Sequence, residues 1–301
     1  MQGLLLLNKP QGKTSFGAVA AIKRLAGEKR VGHTGTLDPL ATGVLPILLG
    51  RATTLSGYLL DAKKRYTADI QLGTVTDTDD ITGEILAKKD FSSVTAESLL
   101  SVLENFKGDG KQTPPIYSAI KKDGVRLYSI ARQGKTAEVP ERDITVYSIS
   151  LLHFSREEGV FTIDVKVSKG TYIRALARDI GVALGCGATV KTLCRTETGS
   201  FSLNECTPLD ELTDENIKNH IVSEETVVSH LPQLSLTEKQ AVRFCNGGQI
   251  SFERLKAQEF PDGQPYRMKC GETFLGIGEA NAQKSEIAIR CIVNRYNEPH
   301  S

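Results

Sequence analysis

Residues 144–154 and 160–168 each alternate apolar with polar side chains, and Glu157-Glu158-Gly159 lies between them. Period-two alternation on both sides of a glycine-bearing turn specifies a β-hairpin. A run of different period follows at once. Ile173, Leu176, Ala177, Ile180 and Leu184 fall on one face of a helix that begins near Thr171 and ends at Gly185. Arg174 and Arg178 stand four residues apart on a neighbouring face, and two guanidinium groups so placed are not expected to be buried unpaired.

The N-terminal part mixes the same two periods. Residues 2–7 read as a short buried strand, residues 8–12 as a turn, and residues 15–26 as a helix with Val19, Ile22 and Leu25 at helical spacing, stopped by Gly27. After a loop holding Gly32, Gly35 and Gly43 come an apolar run over 44–49, a helix through Leu55, Leu59 and Leu60, and a strand over 65–72. Thr95 is placed to cap a helix whose Leu99, Val102, Leu103 and Phe106 share a face. The fold class is therefore α+β.

Residues 111–142 have another texture, with Pro114, Pro115, Gly124, Gly134 and Pro140 among mostly basic side chains. They read as a projecting loop with a short helix near Tyr128. The acidic stretch 205–225 reads as a linker helix or surface layer, and beyond Pro232 glycine-punctuated short strands indicate a small β-rich domain. A length of 301 residues suits one large domain and one small one.

The apolar run Leu4-Leu5-Leu6-Leu7 is too short for a secretory signal or a membrane helix. Six scattered cysteines without a C-x-x-C pair read as reduced thiols in the cytoplasm. A net charge of +1 argues against a uniformly basic nucleic-acid binder. Residues 1–70, however, hold ten Lys or Arg against four acids, and residues 201–240 hold two against eight, which leaves room for a basic face.

Gly12-Lys13-Thr14 after an apolar strand lacks the earlier glycine of a phosphate-binding loop, because position 7 is Leu; it reads as a turn and helix cap. No zinc-protease motif, cysteine–histidine cluster or serine nucleophile elbow is present, so no metal site is expected. Asp77, Asp79 and Asp80 lack the rest of a calcium loop and read as hydrated loop carboxylates. What remains is residues 32–43, where three glycines permit tight bending and Pro39 restricts Asp38. Asp before Pro is also a good helix N-cap, and the segment alone favours that structural role.

Here the chain resembles the TruB family of tRNA pseudouridine synthases. The matching segments, in the family's order, are Asn8-Lys9-Pro10-Gln11-Gly12, residues 32–43, Lys64-Arg65-Tyr66, Thr76-Asp77-Thr78-Asp79-Asp80, Pro114-Pro115-Ile116-Tyr117-Ser118-Ala119 and Lys169-Gly170-Thr171-Tyr172-Ile173-Arg174. The resemblance implies a catalytic domain over about 1–230 with a mixed, largely antiparallel sheet and flanking helices. It also implies a PUA-like RNA-binding domain over 231–301, where Phe274-Leu275-Gly276-Ile277-Gly278-Glu279 resembles the PUA glycine strand.

The implied reaction breaks the glycosidic bond of a uridine in the tRNA T-loop (position 55), turns the base and rejoins it through carbon, with neither metal nor organic cofactor. Asp38 matches the nucleophile, and Arg174 the cation that keeps it ionised. Tyr66 matches the tyrosine that packs on the base and is implicated in removing the C5 proton, and His33 the residue that fills the space left by the flipped base. Lys9 and Pro10 match a motif supporting the active-site loop, and Tyr172 and Leu193 match residues lining the uridine pocket. Lys121, Lys122, Arg126, Arg132 and Lys135 lie in the segment corresponding to the family's RNA-clasping insertion, where they would contact phosphates. Seen alone, Arg174 is a surface ion-pair residue, Tyr66 a strand aromatic and the insertion a solvated face.

The resemblance further implies a cytoplasmic monomer acting on tRNA with no membrane association and no obligatory protein partner. Three alternatives remain open: a guide-RNA-dependent synthase sharing the same loop, a non-catalytic tRNA chaperone, and a nucleoside hydrolase that would release free uracil.

Overall fold

A computed structural model of the chain describes residues 1–117, 121–122, 125–126, 139–255 and 259–296. Strand β1 (Gly3–Lys9) leads through a turn into helix α1 (Ser15–Ala26). Thr14 caps that helix by accepting from Gly17 N, and Gly27 ends it in the left-handed region at φ 59°. Strands β2 (Val31–His33) and β3 (Thr42–Leu49), helix α2 (Ser56–Leu60) and strand β4 (Lys64–Leu72) follow. Next come the hairpin β5 (Thr74–Thr76) and β6 (Ile85–Lys88), helix α3 (Ala96–Asn105) and strand β7 (Gly108–Gln112). Thr95 caps α3 in a reciprocal box with Ser98.

Two short strands, β8 (Lys121–Lys122) and β9 (Val125–Arg126), pair with each other. The expected helix near Tyr128, and the side chains of residues 118–138 of the basic insertion, lie outside the described residues. The hairpin forms as read, from β10 (Arg142–Ser155) and β11 (Val160–Val167), with Gly159 at φ 63° in its turn. Helix α4 (Ile173–Ala183) and strand β12 (Ala188–Thr198) complete this part.

The main sheet runs β1-β3-β12-β4-β11-β10-β7, and every neighbouring pair on that path is antiparallel except β3 and β12. Alternate residues of β1 enter two cores. Leu5 and Leu7 join Val19, Ile22, Leu176 and Ile180 of the helices on one face, while Leu4 and Leu6 join Leu55, Leu59, Val228, Phe274 and Ile277 on the other. Burial on both faces explains why the start of the chain reads as an unbroken apolar run.

The acidic stretch forms no α-helix, contrary to one reading of the sequence. It is a chain of short 3-10 turns with two-residue strands, Thr207–Pro208 and Ile221–Val222, added to β1. Edge pairing accounts for this: β1 has backbone groups to satisfy, Pro208 cannot donate within a helix, and Leu212 and Ile217 are drawn into the core.

Beyond it, strands over Gln233–Ser235, Pro265–Cys270, Thr273–Asn281, Glu286–Ile292 and Ile250–Ser251 form a second sheet in that spatial order, accompanied by helix Glu238–Cys245. Phe244, Met268, Leu275 and Ile287 make its core. No helix among the described residues is long and apolar enough to cross a membrane.

Candidate active site

Asp38 sits between β2 and β3 in a loop held from three directions. The buried Ser15 hydroxyl accepts from Leu37 N at 2.8 Å and donates to Leu37 O at 2.9 Å. Gly12 N donates to Pro39 O at 2.7 Å. Ala41 N donates to Asp38 O at 3.1 Å, which closes a turn that passes directly into β3. No helix begins at Pro39, so the N-cap reading of Asp38 is wrong: its carboxylate has no helix N-terminus to cap and turns instead to a guanidinium.

That guanidinium belongs to Arg174, the second residue of α4, and is buried. Its Nε lies 2.8 Å from Asp38 Oδ2 as an ion pair, without the alignment of a hydrogen bond. Nη1 donates to Thr78 O at 2.9 Å and lies 3.4 Å from Asp80 Oδ2, while Nη2 donates to Tyr117 O at 3.0 Å. Asp80 is fixed in turn, its Oδ1 accepting from Thr82 N at 3.0 Å and from the hydroxyls of Thr82 and Thr78 at 2.5 and 3.1 Å.

Asp79, at φ 60°, pairs through Oδ2 with Arg178 Nη1 at 2.9 Å. Burial pushes its carboxyl up to about 6, against the opposing pull of Arg178 and Arg174. Arg178 also meets Asp179 Oδ1 at 2.9 Å and Thr113 O at 2.9 Å. Both arginines of the helix are thus partnered, as their spacing led one to expect. Asp79 and Asp80 are not hydrated loop carboxylates; they are buried because two guanidinium groups compensate their charge.

Lys9 is fully buried, with Nζ donating to Pro10 O at 2.8 Å and Lys13 O at 2.7 Å. Burial lowers its ammonium to about 8, an effect that Asp38 opposes and Arg195 reinforces. Tyr66 lies on β4, buried, with Val165 on one side and Arg195 on the other in register. Leu193 is buried two residues before Arg195 on β12, and its carbonyl accepts from Thr42 Oγ1 at 3.5 Å. Tyr172 precedes α4, its backbone exchanging two hydrogen bonds with the Gln112 side chain at 2.8 and 3.1 Å.

His33 ends β2 half-buried, with no hydrogen-bond partner for its buried Nδ1 among the described residues; burial, and secondarily Arg195, hold its pKa below the usual histidine range. Asp38, Arg174 and the supporting Lys9 are therefore brought together, with Tyr66 and Leu193 on the strands beside the loop's end. Arg132 and Lys135 lie outside the described residues, and of Lys121, Lys122 and Arg126 only the backbone is described.

Sequence reading missed Arg195. Its side chain is almost wholly buried and bridges the two ends of the loop, Nε donating to Val44 O at 2.8 Å and Nη2 to Gly35 O at 3.1 Å. The one local signal is a charged residue inside a strand that is otherwise mostly covered.

Residues 23–173 match the model of the TruB family pseudouridylate synthase N-terminal domain, 174–235 a tRNA pseudouridylate synthase B C-terminal domain, and 232–288 a pseudouridine synthase II TruB C-terminal domain. A tRNA pseudouridine synthase B of Clostridium perfringens is 40% identical over 93% of this chain and 95% of its own length. One of Dehalococcoides mccartyi is 43% identical over 86% of this chain and 87% of its own. Among solved structures, a chain of a Cbf5-Nop10-Gar1 complex superposes with a TM-score of 0.75 at 26% identity, covering 97% of this chain and 85% of that one.

Proposed function

Because the chain belongs to the TruB family of pseudouridylate synthases, and is accordingly an isomerase that converts uridine to pseudouridine, we propose that it acts on the T-loop of tRNA at position 55 with Asp38 as nucleophile. The observation that carries this reading is the ion pair between a solvent-reaching carboxylate and a buried arginine. Asp38 is the reactive member because it alone of the carboxylates on Arg174 is open to a substrate; Asp80 is enclosed.

In this mechanism the target uridine leaves its stack, at a cost of a few kcal/mol, and enters the site. Tyr66 and Leu193 take the base, Tyr172 lines the pocket, and His33 fills the vacated space. The pKa shift of His33 supports that role, since a neutral ring stacks without carrying an unpaired charge into the RNA. Asp38 attacks either the ribose or the pyrimidine ring as the C1′–N1 bond breaks. The base turns, C5 bonds to C1′, and the bond from the Asp38 oxygen to the ribose or ring breaks, which regenerates the carboxylate; the C5 proton passes to solvent with Tyr66 assisting, and N1 takes up a proton. Lys9 and Pro10 support the loop and do not react.

We further assign catalysis to residues 1–230 and auxiliary RNA binding to a PUA-like unit over 231–301, with Lys121, Lys122, Arg126, Arg132 and Lys135 gripping phosphates. Replacing Asp38 by Asn and following tritium release from C5-labelled tRNA tests the central claim. Release is expected to vanish, and undiminished release rejects the nucleophile. Activity of the purified chain on bare tRNA transcript separates this reading from a guide-dependent enzyme, and chromatography of the product for uracil separates it from a hydrolase.

A further inference from the structure

The basic excess of the first 70 residues is only partly consumed by the site. Lys9 and Lys64 are buried, and Arg65 is paired with Asp164 and Glu197. Lys29 and Arg30 are exposed and form no ion pair among the described residues. With Gly32, His33, Thr53 and Ser56 they line a cavity of about 400 Å³ that no carboxylate among the described residues lines. It shares His33 with the candidate active site but does not include Asp38.

Several features of this cavity match one nucleotide of a polyanion. Its volume lies at the lower end of the range for small-ligand sites, roughly 300–1,000 Å³. Leu48, across from Gly32, gives it an apolar part suited to a sugar or base face, and the two cations give it a phosphate-binding part. The backbone adds further groups. Gly50 N donates to Arg30 O at 2.7 Å and Thr34 N to Pro46 O at 3.2 Å, so residues 30, 32 and 34 bond toward β3. In an antiparallel pair the alternate residues face away. Val31 and His33 therefore present N–H and C=O groups on an edge of β2 that no strand among the described residues pairs.

We propose that this cavity binds a phosphodiester of the substrate RNA and the nucleoside attached to it, at a nucleotide neighbouring the uridine that is isomerised. The proposal rests on the tRNA reading above and adds to it a second, non-reacting nucleotide site. His33 then has two sides: one toward the space vacated by the target base, the other forming a wall of this neighbouring site.

The test compares two charge-matched double variants of the full chain. Lys29→Ala with Arg30→Ala is expected to raise KM for tRNA about tenfold, leave kcat at saturating tRNA within about twofold, and flatten the log–log salt dependence of binding by about 0.7–0.9 for one lost phosphate contact. Lys23→Ala with Arg24→Ala removes the same charge from the exposed last turn of α1, outside the cavity, and is expected to change KM less than about threefold.

A third variant, Gly32→Val, fills the space without altering charge. Gly32 is not in the left-handed region, and a Cβ there meets only Thr53 Cγ2 at 4.0 Å. It should raise KM while leaving the salt dependence of the unmodified protein. Phosphate-ethylation interference should identify a single position that the Lys29/Arg30 variant no longer senses. Equal KM effects of the two double variants, or an unchanged KM in the first, overturn the cavity assignment in favour of diffuse attraction. Should the unmodified chain form no pseudouridine, the tRNA reading fails instead, and filter binding of tRNA to the same variants still decides the cavity.

Discussion

Arg174 Nε lies 2.8 Å from Asp38 Oδ2 across a steep gradient of exposure: 5% of the arginine side chain meets solvent and 36% of the aspartate side chain does. The cation is thus anchored inside the protein while the carboxylate keeps access to a substrate. A flexible ammonium cannot take Arg174's place, because the guanidinium's other donors hold Thr78 O, Tyr117 O and Asp80 in fixed directions. Arg174→Lys is expected to lower kcat by about a hundredfold or more, with tRNA affinity changed only a few-fold. Single-turnover kinetics beside filter binding checks this. Arg174→Ala is the harsher change, because it leaves Asp80 buried without its cation at a cost of about 3–5 kcal/mol. Equal losses in binding and catalysis would undo the assignment.

Asp79 gives a pH dependence whose sign is fixed by the direction of its shift. Its carboxyl is raised from 3.8 to about 6 in the folded chain. Between those values the folded state retains a proton that the unfolded chain has released, so Asp79's contribution to stability falls as pH rises through the window. Asn does not titrate and tolerates φ 60°. The melting temperature of the unmodified protein minus that of Asp79→Asn should therefore decline by roughly 4 °C or more from about pH 4 to about pH 7. A difference that grows with pH would mean that Arg178 outweighs burial.

Ser15 links the first turn of α1 to the residue before Asp38. Removing its hydroxyl leaves Leu37 N and O without their partner in a buried setting. Ser15→Ala is expected to cost about 1–3 kcal/mol of stability and to slow catalysis more than it weakens tRNA binding. Denaturant titration with initial rates at saturating tRNA measures both. A variant that unfolds earlier yet turns over normally would show that the loop's geometry does not depend on this bridge.

Which parts of this molecule were legible in the sequence follows from the range of the forces involved. The hairpin of β10 and β11, the capped helices α1 and α3 and the apolar strand β1 are encoded by neighbours within a few residues, and they form where the periodicity placed them. The glycine-bounded loop stood out locally, but its residues alone favoured a helix cap for Asp38, and only the resemblance to a known family pointed to it as a nucleophile. What the chain could not display was the far partner. Arg174 meets Asp80 from 94 residues away and Arg195 reaches Gly35 from 160, so the buried carboxylates read as hydrated and the buried arginine went unnoticed. The acidic stretch was misread for the same reason, because the open edge of β1 recruited it into pairing that no local pattern announces.

The seam between β3 and β12 joins the loop to the sheet, and one glycine decides whether it can close. Gly43 has φ 101°, and a Cβ there would collide with the backbone of Arg195, whose side chain holds both ends of the loop. Two penalties therefore coincide in Gly43→Ala: left-handed strain of roughly 1–2 kcal/mol, and displacement of a strand that must stay paired with Thr42 and Gly43. Gly27→Ala isolates the first penalty, since Gly27 has φ 59° and nothing within 4 Å of the added carbon, and it lies at the far end of α1. Gly27→Ala is expected to lower the melting temperature slightly and leave pseudouridine formation intact. Gly43→Ala should lower it further and abolish turnover, because moving Arg195 releases Gly35 O and Val44 O together and lets the carboxylate drift from Arg174. Comparable melting temperatures and rates for the two variants would mean that the close approach of β3 to β12 does not fix the position of Asp38.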